Sequence, residues 1–316
     1  MKKLLLVSLV AVMSFLLTAC SSGPRPDGVP EKVKNYFIGD YESAESVAAK
    51  LQAEGFEILT TIKPIKKKDI EIIVFTNDHI KQLANRPMRG LLAQVMRVTV
   101  NKEKNHIKVN NPMLYFKAYL QHDYKVGDED SVLASIMKAF PSLKKKDMQK
   151  NEDGEMEDMN VEELGYDNLA DYHFMIGMPY YHEMDDLRFD DDINALLKSL
   201  KKGAAKIKRN AKKKKKENLC YLIKLSDKRY VAGVRLSKRT EKFAQKIGDH
   251  NIGLLPWGIL IEEVEDDDKK TFVARALGAK YKIALNYSNL DMGGFMGIMS
   301  IPGAIQSELV KVFKAH

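Results

Sequence analysis

The sequence predicts an α+β protein made of two related domains, each a mostly antiparallel sheet with helices on one face. Three observations carry this. The chain has 316 residues, enough for two domains at roughly 150 residues each. Its hydrophobic content of 45% supplies apolar material for full cores. The order of elements in its first half also recurs in its second.

The first residues are set apart from the fold. Lys2 and Lys3 give a positive start, residues 4–17 form an almost unbroken apolar run, and Leu17-Thr18-Ala19-Cys20 closes it. This layout reads as an export signal over residues 1–19. The run is shorter than the roughly 20 apolar residues a spanning helix needs. Small residues before a cysteine resemble the bacterial lipobox, which implies cleavage before Cys20 and lipid on its thiol. The plainer alternative is a secretory signal with a chance cysteine. Acyl chains would hold the protein to a membrane surface, each buried methylene contributing about 0.8 kcal/mol. Ser21 follows the cysteine; by resemblance to enterobacterial lipoproteins this favours the outer membrane, facing the periplasm. Residues 20–31, rich in Gly and Pro, read as a tether.

The first unit is expected over residues 32–150. Residues 35–41 read as a strand, and Ser43 as the N-cap of a helix through Val47 and Leu51 to an end signal at Gly55-Phe56. Residues 76–85 are a short helical pattern, followed by Gly90-Leu91-Leu92, a strand at 93–100, a polar turn, and a strand from His106. An amphipathic helix at 131–140, with Val132, Ile136, Met137 and Phe140 on one face, ends the unit.

The second unit, residues 168–316, repeats this plan. Residues 172–178 are the expected strand and 191–200 the helix, ending near Gly203. Residues 237–247 are helical, Ile252-Gly253-Leu254-Leu255-Pro256-Trp257 leads into a strand at 258–264, and an acidic turn opens onto another at 271–275. Tyr115-Phe116-Lys117-Ala118 sits where Lys280-Tyr281-Lys282-Ile283 sits, and residues 304–313 are the closing helix. Between the units, the acidic segment 151–167 shows no sustained apolar period and reads as a linker.

The stretch Ile252-Gly253-Leu254-Leu255-Pro256-Trp257 with its following hairpin resembles the bacterial domain of unknown function 302 family. Gly90-Leu91-Leu92 with Asn111-Pro112, and Glu54-Gly55-Phe56 after a helix, resemble the same pattern in the first half. Trp257 stands where that family often has Cys, and Ala93 replaces the Pro of the first copy, so a thiol-based role at that position has no residue to carry it. The resemblance implies small α+β domains that pair, and no established reaction.

Chemistry-bearing groups are sparse. There is no G-x-S-x-G, P-loop, G-x-G-x-x-G or HExxH, and the seven histidines have no recognisable spacing. Nothing calls for a cofactor. Cys220, in an apolar run, reads as a small core side chain rather than a reactive thiol. The lysine-rich tract 198–216 reads as a solvated helix extension or loop, with anionic lipid as the alternative. No aromatic residues interleave with it to stack bases, so nucleic acid is not an expected partner. Glu183, Asp185, Asp186, Asp190, Asp191 and Asp192, with His173 and His182 nearby, fit no regular metal spacing and read as an exposed loop capping the next helix. Met292, Met296 and Met299 offer thioethers that would suit Cu(I), against the reading of a glycine-rich loop laid on a core.

These readings lead to one expectation, a lipid-anchored, non-enzymatic envelope protein binding a ligand or partner in a groove between its units. Gly90, Phe116, Gly253, Trp257 and Tyr281 are the candidates to line that groove. The alternative is copper handling through Met292, Met296 and Met299.

Overall fold

A computed structural model describes residues 30–86, 88–144, 148–150, 156–158, 163–165, 184–207, 218–248, 252–266, 269–287 and 292–314. The signal segment, Cys20, Pro87, residues 172–178, His173, His182, Glu183 and Lys212 to Lys216 lie outside the described residues.

Two five-stranded antiparallel sheets dominate. The first contains β1 (Tyr36–Asp40), β2 (Glu57–Ile62), β3 (Ile70–Thr76), β4 (Met96–Asn101) and β5 (His106–Asn110), in the order β1-β5-β4-β3-β2. The second contains β6 (Met184–Asp190), β7 (Leu219–Ser226), β8 (Arg229–Val234), β9 (Trp257–Asp266) and β10 (Lys269–Leu277), in the order β6-β10-β9-β8-β7. The two orders are the same when corresponding strands are matched, which is what a duplicated unit produces. The helices also correspond. In the first half they are α1 (Ala44–Ala53), α2 (Asp78–Ala84), α3 (Pro112–Leu120) and α4 (Asp130–Ala139). In the second they are α5 (Ile193–Lys206), α6 (Lys238–Glu241), α7 (Ala244–Ile247), α8 (Ala279–Asn286), α9 (Met292–Ile298) and α10 (Ile301–Lys314). Among the described residues no helix is long and apolar enough to cross a membrane.

Local chemistry explains the element ends. Ser43 caps α1 by accepting from the Ser46 N–H at 3.2 Å. At its other end Gly55 takes φ +84°. The Phe56 N–H then reaches Leu51 O and the Gly55 N–H reaches Gln52 O, each at 3.0 Å, a Schellman closure that left-handed glycine permits.

Strand β3 shows how the halves join. Ile70, Ile72 and Val74 belong to the core dominated by the second half, whereas Ile73 and Phe75 belong to that of the first. Successive side chains point to opposite faces, so this sheet is covered on both sides here. Burying such a residue fully contributes about 1.5–3 kcal/mol. The exchange is reciprocal, because Leu277, Tyr281, Ala284 and Leu285 pack into the first half's core. The two units therefore share one buried interface.

Several expectations are corrected. The strand that opens the second sheet is β6, Met184–Asp190, drawn from the acidic stretch read as a loop. It is an edge strand: Asp186 pairs with Arg275 on the adjacent β10 at 2.5 Å, and Asp190 with Arg188 at 2.8 Å. The end of this acidic stretch does cap the next helix: Asp192 caps α5, accepting from the Asn194 N–H at 2.9 Å. Gly203 does not end that helix; it lets α10 cross, since a Cβ there would sit 1.7 Å from Val312 O. The segment read as a linker contains two short strands, Met156–Asp158 paired with Met148–Lys150 and Glu163–Gly165 paired with Lys32–Lys34. The glycine-rich methionine stretch forms helix α9, with Met296 and Met299 more than half exposed instead of packed on a core. Cys220 is half-buried on β7, its thiol donating to Asn218 O at 3.7 Å.

Candidate functional site

Between the two sheets lies a small cavity of about 20 Å³, lined from both halves. Its polar lining comes from Arg97 and Tyr119 of the first half and Tyr221, Trp257 and Lys282 of the second. Leu92, Val95, Val231 and Leu277 are among the apolar side chains that close it.

Each polar residue is placed by a different element. Arg97 lies on β4 opposite Val74, in the run Met96-Arg97-Val98 that is buried throughout. Tyr221 lies on β7 opposite Gly233 of β8, and its ring covers that glycine: a Cβ at 233 would stand 2.2 Å from Tyr221 Cε1. Here the missing side chain makes room for an aromatic ring. Trp257 opens β9 directly after the Leu255-Pro256 turn, whose peptide bond is cis. Lys282 projects from α8, and Tyr119 from the last turn of α3.

The two cations hold consecutive carbonyls of that turn. Arg97 Nε donates to Leu255 O at 2.9 Å, and Lys282 Nζ donates to Pro256 O at 3.1 Å. Lys282 Nζ also stands 5.0 Å from the centre of the Trp257 ring, whose face would attract the ammonium whenever the amine takes up a proton. Both cations are 6% exposed, yet among the described residues neither pairs with a carboxylate. Burial, reinforced by the Arg97 charge, holds the Lys282 ammonium well below the usual lysine range. Burial pushes the Tyr221 phenol up to about 12 and raises that of Tyr119 as well. Both phenols therefore keep their protons at neutral pH. Trp257 is 1% exposed and its Nε1–H has no acceptor among the described residues.

The arrangement is rich in donors and poor in negative charge. A neutral Lys282 amine is in principle a nucleophile. Here its nitrogen is engaged with Pro256 O, and a cavity of about 20 Å³ holds a water-sized species, not a carbonyl substrate.

Of the five groove candidates, Trp257 lines the cavity. Phe116 is fully buried in the first half's core, and Tyr281 packs into that same core from α8. Gly90 is buried in the turn before β4. Gly253 lies against the Thr99 side chain across the interface, where a Cβ would come within 2.5 Å of Oγ1. Arg97, Lys282, Tyr119 and Tyr221 are additional, and two of them carried a signal. A cation inside an apolar run, as in Met96-Arg97-Val98 and Tyr281-Lys282-Ile283, is costly unless it is functional or paired. Lys117, on α3 of the other half, sits in an apolar run as well, yet it is less buried and stands 5.4 Å over the Tyr124 ring. The pattern therefore does not by itself say which lysine is enclosed.

Compared with models of known families, with curated proteins and with solved structures, the chain matches none.

Proposed function

We propose that this chain is a lipid-anchored, non-enzymatic binding protein of the bacterial cell envelope, holding its ligand in the cavity between two sister α+β units. One observation carries the binding part: Arg97 and Lys282, two buried basic side chains from opposite halves, line one cavity, and among the described residues neither pairs with a carboxylate. A purely structural core gains nothing from such groups, since burying an unpaired charge costs several kcal/mol. The envelope address rests on the Lys2 to Cys20 pattern, with lipid on Cys20 and the outer membrane as the destination. The resemblance to the domain of unknown function 302 family, which implies no established reaction, supports a binding role over catalysis.

Mass spectrometry of the full-length chain extracted from bacterial envelopes tests the anchor. Acyl chains on a mature N-terminal Cys20 are expected, and an unmodified Cys20 inside a retained leader overturns that part. Thermal unfolding of the chain against panels of halides, carboxylates, oxyanions and neutral solutes tests the binding. At least one class should raise Tm and change Trp257 emission; no response to any of them overturns it.

A second reading, copper handling, is favoured by the exposure of Met296 and Met299 at 56% and 59%, which leaves their thioethers accessible to Cu(I). Titration with Cu(I) against a chelating dye tests it: binding must be present and must weaken in Met296→Ala.

A further inference from the structure

Resting on the interdomain binding reading, we propose that the cavity is a site for a halide-sized monoanion, held between Arg97 of the first half and Lys282 of the second. Four features converge on this chemistry. The charge is one-sided: the Arg97 guanidinium and the Lys282 amine, a cation once it takes up a proton, line the space, and among the described residues neither pairs with a carboxylate. A buried donor belongs to the lining too: the Trp257 Nε1–H has no acceptor among the described residues, and Tyr119 and Tyr221 complete a polar lining that contains no acidic group. The volume of about 20 Å³ suits one atom or water-sized species and is too small for phosphate or sulfate. Lastly, the site is asymmetric: four residues after its N-cap, α3 carries Tyr115 where α8 carries Lys282. The duplicated plan does not require it.

Other occupants fit less well. A cation would meet the like charge of Arg97 and, among the described residues, no carboxylate in the lining. An apolar molecule would leave the indole N–H and both cations unanswered. Water alone satisfies donors but brings no charge to offset Arg97, so it is the competing outcome that must be distinguished.

Proton uptake accompanies the anion. The charged groups facing Lys282 are Arg97 from β4 and, at high pH only, the phenols of Tyr119 from α3 and Tyr221 from β7. Burial and the Arg97 charge favour a neutral Lys282 in the empty site. An anion beside it favours the ammonium. Binding therefore tightens as pH falls, by up to tenfold per pH unit while one proton is taken up.

Trp257 is the only tryptophan, so its emission reports on this site. The full-length chain in detergent is titrated with iodide and bromide in halide-free buffer. The expected result is saturable quenching, reversed by excess chloride and weakening as pH rises. Lys282→Met should abolish the pH dependence, and Arg97→Gln should weaken binding at least tenfold. Should Arg97→Gln fail to fold, anomalous scattering from bromide-soaked crystals of the unaltered chain places the ion directly; a peak between Arg97 and Lys282 is required. Quenching that is absent or linear in iodide, or a cavity holding water only, overturns the proposal. If a small carboxylate saturates the Trp257 signal while halides do not, the halide assignment falls but the interdomain reading stands. If no probe changes the signal, both fall.

Discussion

Lys282 and Arg97, from opposite halves of the chain, grip consecutive carbonyls of one turn, Lys282 at Pro256 O and Arg97 at Leu255 O. The turn is thereby tied to strand β4 of the first half and helix α8 of the second. Neither cation is neutralised by an acid among the described residues, and this decides how each contributes to stability.

The first prediction concerns Lys282. Its folded-state value lies below that of the unfolded chain. Between the two, the unfolded chain holds more protons, so stability rises with pH through that window and is lowest beneath it. Lys282→Met removes the burial penalty and should stabilise the protein at pH 7 by about 1–3 kcal/mol. The gap between variant and parent should narrow towards pH 10. Urea unfolding in halide-free buffer at both pH values checks this; a variant less stable than its parent at pH 7 contradicts it.

The second prediction lies deeper in the same interface. Asn286 Oδ1 accepts from Tyr36 OH at 2.8 Å and from Tyr115 OH at 2.5 Å, while its Nδ2 donates to Lys282 O at 2.8 Å. Asn286→Ala removes the shared acceptor of two buried phenols and should cost about 2–4 kcal/mol. Tyr36→Phe and Tyr115→Phe remove one donor each and should cost about 1 kcal/mol apiece. Because the three groups form one network, the tyrosine changes should lose most of their effect in the Asn286→Ala background. A double-mutant cycle by chemical denaturation measures this, and simple additivity would count against a shared network.

How much of this was legible in the sequence depends on what each residue's signal competed with. Strands β1, β4 and β5 and the closing helices announce themselves through apolar pattern, as at Val132 and Ile136 of α4, both fully buried. Strand β6 did not, because only Leu187 of its seven residues is buried. An edge strand rich in aspartate looks like a loop until the arginine on the adjacent strand is known. Gly203 looked like a helix end, since chain-stopping and close helix crossing call for the same residue. The cavity was the least legible. Arg97 and Lys282 are 185 positions apart, and only the pairing of the two sheets brings them together.

The Gly203 crossing gives the third prediction. A Cβ at this position meets the Val312 carbonyl at 1.7 Å, a backbone atom that no side-chain rotation moves away. Ala is ordinarily better than Gly in a helix by about 1 kcal/mol. Here Gly203→Ala should instead destabilise by about 2 kcal/mol or more, because α5 and α10 must separate. Thermal unfolding decides the sign, and a stabilised variant would mean that the two helices do not cross at this residue.

The fourth prediction concerns the cap that ties α6 to α10. The Glu308 carboxylate accepts from the Ser237 N–H at 2.7 Å, from Ser237 Oγ at 2.5 Å and from Thr240 Oγ1 at 3.0 Å. A capping box uses a residue on the same helix to satisfy the first-turn N–H groups. In this chain the acid arrives from another helix, so it joins two elements as well as capping one. Glu308→Ala should cost about 1–3 kcal/mol, the range for hydrogen bonds to a charged group, and should speed amide exchange selectively at Ser237 and the first turn of α6. Glu308→Gln keeps an acceptor and should recover part of the loss. Exchange that rises equally throughout the second sheet would show instead that Glu308 supports the whole half and not this one helix end.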